Sequence, residues 1–303
     1  MTRRDFMTVA AAGAVAGYVA GKPKSAEAAG AAGASQLGTL KVRFLGTGAA
    51  DWNGRDERGE QRRLSSVLLD DKVLIDYTAT ARDMIPEGTK PVAVFYTHSH
   101  GDHYRPRDLL ELGTVKHVFV NASWYAGAYE EFEVAAKAAG VNPPKVHALH
   151  FGQTQVFEGI AFTSLPANHT TRRPGEHCSM YLVEKGATRL VYATDTGGIM
   201  GEAATIAGID AHYQPAKPIT ALVMEATMGI GHDIDFRIYA HSSVETVDRV
   251  VKVLQMTKRY TPAPGQKVYL THMARTLHGT HAEIAASAPA PIAPAYDGLE
   301  IML

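Results

Sequence analysis

Three histidines and one aspartate lie within six residues of this chain, in the stretch FYTHSHGDHY, residues 95–104. Three explanations are open at first: a metal site, a pH-sensitive loop, or chance. His98 and His100 are separated by one residue, so both side chains can point the same way from an extended or tightly turned loop. Asp102 and His103 are adjacent and can reach a second point nearby. One loop can therefore supply two neighbouring cations with two ligands each. Imidazole and carboxylate suit Zn²⁺, with Mn²⁺ and Fe²⁺ as alternatives.

Further candidate ligands follow other apolar segments that are predicted to be strands. SLPANHT contains His169, VYATDTG contains Asp195, and VYLTHMA contains His272. Each residue comes directly after its strand, where loops converge at the edge of a sheet. A single histidine in such a place is more often structural than metal-bound, but the ordered set HxHxDH, H, D, H rarely arises by chance. We therefore favour the metal site.

The composition restricts the partners of the chain. There are 14 histidines but only one cysteine, Cys178, so a disulfide within the chain and a cysteine-rich zinc site are both excluded. The formal net charge is −1, which does not favour binding to nucleic acid or to an anionic membrane. We expect a small anionic substrate and no stable nucleic-acid partner. Either a monomer or a homodimer is compatible with the sequence.

The first 28 residues have the composition of an export signal. Arg3 and Arg4 precede an apolar run from Phe6 to Ala20, and Ala26 and Ala28 suit an A-x-A cleavage site. TRRDFM resembles a twin-arginine signal, which predicts export of the folded protein by the twin-arginine machinery. The apolar run is shorter than the roughly 20 residues of a membrane span, so no anchoring is expected after cleavage. Residues 29–39 are a predicted flexible leader, and the expected location is periplasmic or secreted.

Residues 40–303 are predicted to form one domain. Short apolar strands dominate the first two thirds, and helices are interspersed, which favours two packed sheets with helices outside. The clearest predicted helix is HSSVETVDRVVKVLQM, where valines and leucine recur at helical spacing. Ser242 is the predicted N-cap of this helix, and Glu245 three residues later completes a predicted capping box.

With these motifs in this order, the chain resembles the metallo-β-lactamase superfamily. The resemblance extends from Leu40 to about His281 and rests on the motifs FLGTGAA, LSSVLLDDKVLIDYTA, THSHGDH, ANHT, ATDTG and LTHM in family order. It implies an α/β fold, a four-layer αββα sandwich, with a dinuclear metal site at one edge and a metal-bridging hydroxide as nucleophile. The implied ligands are His98, His100 and His169 for one metal, Asp102, His103 and His272 for the other, and Asp195 as the bridge.

Two further motifs are similar to the ribonuclease Z and cyclic ribose-phosphate phosphodiesterase branch of the superfamily. These are MEAT, which contains Glu225, and AHSS, which contains His241. His241 lies close to a predicted helix N-terminus, which attracts phosphate, and could donate a proton to a leaving oxygen. Glu225 could orient its imidazole, and Asp102 could orient the attacking water.

Three hypotheses about the function are open. A small or cyclic phosphodiester is the first hypothesis, because the chain contains no long basic insertion that would clamp transfer RNA. An ester, lactone or thioester hydrolase is the second, and a metal-binding module without enzymatic activity is the third. Four loop arginines could contact an anionic substrate, although loop arginines are usually solvated: Arg62, Arg63, Arg172 and Arg173. Three histidines remain without an assigned role: His232, His278 and His281.

Overall fold

The computed structural model describes residues 39–303 apart from 211 and 213, so the predicted export signal and the leader through residue 38 lie outside the described part. The chain forms fourteen strands in this part. They are β1 (Lys41–Gly46), β2 (Ser66–Leu69), β3 (Val73–Ile75), β4 (Ala93–Phe95), β5 (His117–Asn121), β6 (Lys145–Leu149), β7 (Thr154–Phe157), β8 (Ile160–Pro166), β9 (Ser179–Lys185), β10 (Thr188–Ala193), β11 (Ala221–Glu225), β12 (Val268–Thr271), β13 (Ile292–Pro294) and β14 (Glu300–Met302).

Five α-helices accompany the strands in the described residues. They are α1 (Pro106–Leu112), α2 (Tyr125–Ala139), α3 (Gly201–Ile206), α4 (Val244–Met256) and α5 (His281–Ser287). None of these described helices is long and apolar enough to cross a membrane.

The strands form two seven-stranded mixed sheets. The order is β14-β1-β2-β3-β4-β5-β6 in the first sheet and β13-β12-β11-β10-β9-β8-β7 in the second. In the first sheet β3 to β6 run parallel, and in the second β10 to β13 run parallel. Loops that follow the carboxyl ends of parallel strands gather at one edge of a sheet, which is where α/β proteins place their sites.

The two sheets pack face to face through large apolar side chains. Phe95 of the first sheet stacks on Phe162 of the second, with ring centroids 3.9 Å apart, and on Phe119 at 4.2 Å. The hydroxyl of Tyr181 also crosses between the sheets and donates a 2.6 Å hydrogen bond to the carbonyl of Tyr96. Burial of this inter-sheet layer is the main favourable term for the sandwich.

Helices cover the outer face of each sheet. Buried residues of α1 and α2 form one apolar cluster with the first sheet, and those of α3, α4 and α5 form another with the second. The order of layers is therefore helix, sheet, sheet, helix. The predicted αββα sandwich in a single domain is confirmed.

The start of α4 differs from the prediction by one residue. Its N-cap is Ser243, whose hydroxyl accepts a bond from the backbone N–H of Thr246, and not Ser242. The hydroxyl of Ser242 instead donates to the carbonyl of Thr196 at 2.7 Å. Glu245 accepts a bond from the N–H of Gly231, so the predicted capping box is wrong. The contact of Ser242 with Thr196, which is distant in the chain, thus replaces the local capping contact that the sequence predicts.

Candidate metal centre

The predicted ligands lie in loops that directly follow four strands at one edge of the sandwich. The cluster of residues 98–103 follows β4, and His169, Asp195 and His272 follow β8, β10 and β12. The backbones of Asp195 and His272 have φ values of 48° and 50°, in the left-handed region. Non-glycine residues seldom adopt this region, and strain of this kind is concentrated at functional sites.

The first predicted triad converges on one point. Nε2 of His98 and Nε2 of His169 lie 3.0 Å and 3.2 Å from Nδ1 of His100. Ligand atoms about 2.0–2.1 Å from one tetrahedral zinc ion are about 3.3 Å apart. The three ring nitrogens therefore have the spacing that a single cation requires.

The second predicted triad has the same spacing. One carboxylate oxygen of Asp102 lies 3.2 Å from Nε2 of His103 and 3.3 Å from Nε2 of His272. Nε2 of His103 is fully buried and has no hydrogen-bond partner among the described residues. A buried ring nitrogen without a hydrogen bond is costly unless another group, such as a cation, takes its place.

Asp195 lies between the two triads and presents a different oxygen to each. Oδ1 is 3.9 Å from Nε2 of His98 and 3.7 Å from Nε2 of His169. Oδ2 is 3.0 Å from Nε2 of His103 and 3.3 Å from Nε2 of His272. A carboxylate placed in this way could contact a cation in either triad. The His and Asp clusters fit a metal site.

Asp76 orients two of the histidines and was not identified from the sequence. It is fully buried, and its carboxylate accepts a 2.8 Å bond from Nδ1 of His103. The same carboxylate accepts from the hydroxyl of Thr97, which in turn accepts from Nδ1 of His98. Both rings thus carry a proton on Nδ1 and leave Nε2 free as a ligand. The available signal was the position of Asp76 directly after the buried strand β3.

Thr227 has the corresponding role for His272. Its hydroxyl donates to Glu225 at 2.5 Å and lies 2.8 Å from Nδ1 of His272, from which it accepts. Glu225 is fully buried and also accepts a 3.0 Å bond from Nδ1 of His241. The MEAT motif therefore supports a predicted ligand and the predicted proton donor together.

The charges of the site are strongly coupled. Burial lowers the pKa values of His98, His100 and His169, which favours the neutral imidazole that a metal requires. Burial also acts to lower the pKa of His103, but the surrounding carboxylates, led by that of Asp195, raise it well above its usual range. A divalent cation would offset the same negative charge.

The pKa of His241 shifts in the opposite direction from those of His98, His100 and His169. Burial lowers its pKa, but the Glu225 carboxylate more than offsets that effect, so that the pKa of His241 rises to about 9. Burial raises the pKa of Glu225, but the neighbouring His241 lowers it below the usual value. The two residues form an ion pair beside the triads.

A pocket of about 350 Å³ opens onto the candidate ligands. It is lined by Ala49, Ala50, Asp51, His100, Asp102, His169, Asp195, Thr227, Arg237, His241, His272, Ala274, Thr276 and Leu277. Arg237 is the only arginine or lysine in this lining among the described residues. It was not singled out from the sequence, and nothing in the local pattern distinguishes it from other loop arginines.

The four arginines considered as substrate contacts lie away from this pocket. Arg62 is buried and donates to Thr47 and to a backbone carbonyl, and Arg63 pairs with Asp83. Arg173 pairs with Glu131, and Arg172 is exposed. None of the four therefore lines the pocket.

The three histidines that the sequence left without an assigned role do not line the pocket either. Nε2 of His278 donates to the carbonyl of Ala226 at 2.6 Å, which makes it a support for the MEAT loop. His281 packs edge-on against Tyr296 at the start of α5. His232 is half-buried in the loop before His241.

A two-sheet sandwich covered by helices, with His and Asp clusters at one edge, defines the metallo-β-lactamase class of proteins. The family model described as a beta-lactamase superfamily domain matches residues 75–273, and the chain belongs to this family. The resemblance noted in the sequence is thereby confirmed at the level of the superfamily. No curated protein matches the chain.

Solved structures with the same fold are distant in sequence. A diphosphatase from the PhnP family is 21% identical, with a TM-score of 0.60, and the match covers 88% of this chain and 97% of that one. Human tRNase Z, short form, is 16% identical, with a TM-score of 0.59 and coverages of 86% and 98%. Zn²⁺-bound PqqB from Methylobacterium extorquens is 18% identical, with a TM-score of 0.60 and coverages of 87% and 100%. At these identities the similarity establishes the fold.

Proposed function

We propose that this protein is a dinuclear metal-dependent hydrolase that acts on small or cyclic phosphodiesters. The observation that carries the proposal is the division of Asp195 between two triads, with the His241–Glu225 pair directly beside them. Two adjacent cations with a proton donor at their side suit the in-line displacement of an alkoxide from phosphorus.

In this proposal one cation would be held by His98, His100 and His169, and the other by Asp102, His103 and His272. Asp195 would contribute one oxygen to each. The nitrogen and oxygen donors suit Zn²⁺, and Zn²⁺-bound PqqB shares the fold. When bound, such cations lower the pKa of a coordinated water and stabilise the charge that develops on the phosphoryl oxygens.

The residues of the chain supply the remaining steps. Asp102 lies at the pocket surface and accepts a hydrogen bond from the attacking water, which orients it towards the phosphorus. His241 has its Nδ1 held by Glu225, so its Nε2 is the ring nitrogen left to donate a proton to the leaving oxygen. The raised pKa of His241 keeps this proton in place at neutral pH.

The pocket supports a small anionic substrate. Its volume of about 350 Å³ is at the lower end of ligand pockets, and Arg237 is the only cationic side chain in the lining apart from histidines, within the described residues. A diphosphatase and a tRNase are among the proteins with this fold, and both names denote cleavage at phosphorus.

A substrate panel tests the proposal. Zinc-loaded protein is assayed with bis(4-nitrophenyl) phosphate, a carboxylic ester, a lactone and a cephalosporin. We expect turnover of the phosphodiester to be the fastest. Turnover of the lactone or ester without phosphodiesterase activity would replace the proposal with the second hypothesis. Retention of metal with no turnover of any substrate would favour a binding module.

Two substitutions separate the proposed roles. His241→Ala is expected to lower phosphodiester turnover about 10²- to 10⁴-fold, because it removes the acid, while the metal content stays unchanged. Asp195→Ala is expected to lower the content of both metals. His177→Ala, at an exposed histidine outside the pocket, is the matched control. Loss of metal in His241→Ala, or a normal metal ratio in Asp195→Ala, would contradict the assignment.

We further propose that the protein is exported in folded form by the twin-arginine machinery to the periplasm or beyond. The proposal rests on Arg3, Arg4 and the apolar run that follows them. Replacement of both arginines with lysine should leave the precursor in the cytoplasm, which cell fractionation detects. Normal export of that variant would exclude this route.

A further inference from the structure

The loop between β11 and α4 exposes an unusual amount of apolar surface. Five large hydrophobic side chains within residues 230–239, which we name the rim segment, are exposed to solvent: Ile230, Ile234, Phe236, Ile238 and Tyr239. Phe236 is 74% exposed and Tyr239 79% exposed. Scattered exposed hydrophobics are ordinary, but a concentrated group indicates a surface that binds something.

The rim segment adjoins the catalytic pocket. Arg237, at its centre, lines the pocket. Directly after the segment, the carbonyl of Ala240 accepts a 3.1 Å bond from Nδ1 of His169, and His241 follows. The backbone of Ile238 also abuts Gly197, where a Cβ would lie 2.5 Å from its carbonyl oxygen. The rim segment thus joins the wall of the site through Arg237 and the backbone of Ile238.

Polar contacts anchor the backbone of the rim segment. Residues Phe236–Tyr239 form a short 3-10 helix whose N-cap, Asp235, accepts from the N–H of Arg237. At the base of the segment, Arg249 of α4 pairs with Asp233 at 2.7 Å. The hydrophobic side chains are exposed although the backbone beneath them is well anchored.

The guanidinium of Arg237 stacks on the ring of Phe236. The guanidinium carbon lies 4.7 Å from the centroid of the Phe236 ring, within the range of a cation–π contact. Nη1 of Arg237 bonds both carboxylate oxygens of Asp235, at 3.0 Å and 2.8 Å. Asp235 therefore offsets the arginine charge and holds the guanidinium in place. Phe236 is 74% exposed and the Arg237 side chain 38% exposed, so the outer faces of this stack are accessible to a ligand. Such faces bind planar rings by stacking.

We propose that the rim segment binds a planar aromatic group of the substrate, so that the preferred phosphodiesters carry such a group, as a nucleotide does. The inference rests on the proposed phosphodiesterase function and adds the chemical class of the substituent. Phe236 and Arg237 are the specificity-determining residues, and Tyr239 extends the same exposed surface.

The experiment compares two substrates with the same leaving group. Bis(4-nitrophenyl) phosphate and methyl 4-nitrophenyl phosphate both release 4-nitrophenolate and differ only in the group that stays on phosphorus. The ratio of their kcat/KM values is measured for zinc-loaded wild-type protein and for Phe236→Ala, Phe236→Leu and Phe236→Tyr. The intrinsic reactivities of the substrates cancel when these ratios are compared between proteins. Tyr129→Ala, at a half-exposed tyrosine of α2 outside the pocket, is the matched control.

We expect Phe236→Ala and Phe236→Leu to lower the aryl-to-methyl ratio about three- to tenfold, the range of one aromatic contact, mainly through KM. Phe236→Tyr and Tyr129→Ala should keep the wild-type ratio. An unchanged ratio in Phe236→Ala would refute the inference while leaving phosphodiesterase activity intact, and full retention by Phe236→Leu would refute the requirement for an aromatic face. Hydrolysis of neither substrate by the wild-type protein would overturn the proposed function itself, and the inference with it.

Sedimentation of the same proteins tests the competing occupant of this surface. A wild-type dimer that Phe236→Ala converts to a monomer would show that a second copy of the chain covers the rim segment, and the inference would fail. Because Phe236 is mostly exposed, its variants are expected to retain the fold, and circular dichroism checks this.

Discussion

Replacing Asp76 with asparagine should weaken metal binding without altering any of the proposed ligands. In the native protein one carboxylate oxygen accepts from the Thr97 N–H at 2.8 Å, and the other accepts from the Thr97 hydroxyl at 2.7 Å and from Nδ1 of His103 at 2.8 Å. The asparagine oxygen can retain the bond to the Thr97 N–H. Its NH₂ group then faces His103 as a donor, where an acceptor is required.

The consequence is a change in the tautomer of His103. Facing a donor, Nδ1 of His103 must accept, so the ring proton moves to Nε2, the atom that points at Asp102 and Asp195. A protonated Nε2 cannot bind a cation. Loss of a supporting contact of this kind lowers metal affinity about 10- to 100-fold, or about 1.4–2.7 kcal/mol.

The assay is a competition titration of Zn²⁺ against a chelator, with the bound metal counted at equilibrium. We expect Asp76→Asn to lose affinity for one equivalent more than for the other, because His103 belongs to only one triad. Asp83→Asn is the control, since Asp83 is largely exposed and pairs with Arg63. Wild-type affinity for both equivalents in Asp76→Asn would refute the reasoning about the tautomer.

Three further predictions concern buried groups around the site. The carboxylate of Glu176 accepts from the N–H and hydroxyl of Ser99, between two proposed ligands, so Glu176→Ala should lower zinc affinity about tenfold while Glu176→Gln retains most of it in the same titration. Burial lowers the pKa of His278 to about 4, so the unfolded chain binds the extra proton between about pH 6.5 and pH 4 and the free energy of unfolding falls as the pH decreases. Between pH 7 and pH 5 His278 should lower the free energy of unfolding by about 2 kcal/mol. Urea titration of His278→Gln should show a pH dependence that lacks this contribution. An equal decrease in the variant would refute this assignment. Burial raises the pKa of the Cys178 thiol, so a maleimide should label it only after denaturation, and rapid labelling of the native protein would contradict its burial.

The layers and the candidate ligands were predictable because their signals are local. Apolar runs of strand length indicated the sheets, and each proposed ligand directly follows such a run. The helical spacing of buried Val244, Val247, Val251 and Leu254 indicated α4. These patterns depend on how a short segment meets the core, so a few neighbouring residues suffice to recognise them.

Contacts between distant residues could not be predicted in the same way. Asp76 supports His103 from 27 positions away in the chain, and its sequence context marks only the end of a strand. Ser242 and Ser243 are equally good helix caps, and the contact of Ser242 with Thr196, 46 positions away, decides between them. Arg237 lines the pocket although the arginines of other loops had the same sequence properties.

The sequence by itself determined the types of donor available, five histidines and two aspartates, and the order in which the strands deliver them. Only the tertiary structure decided which ring nitrogen each histidine presents and that the buried Asp76 holds the ring of His103. It also decided that an exposed aromatic ring lies beside the pocket. The physical reason is that periodicity and turn chemistry act over a few residues, whereas distances between loops depend on how two whole sheets pack.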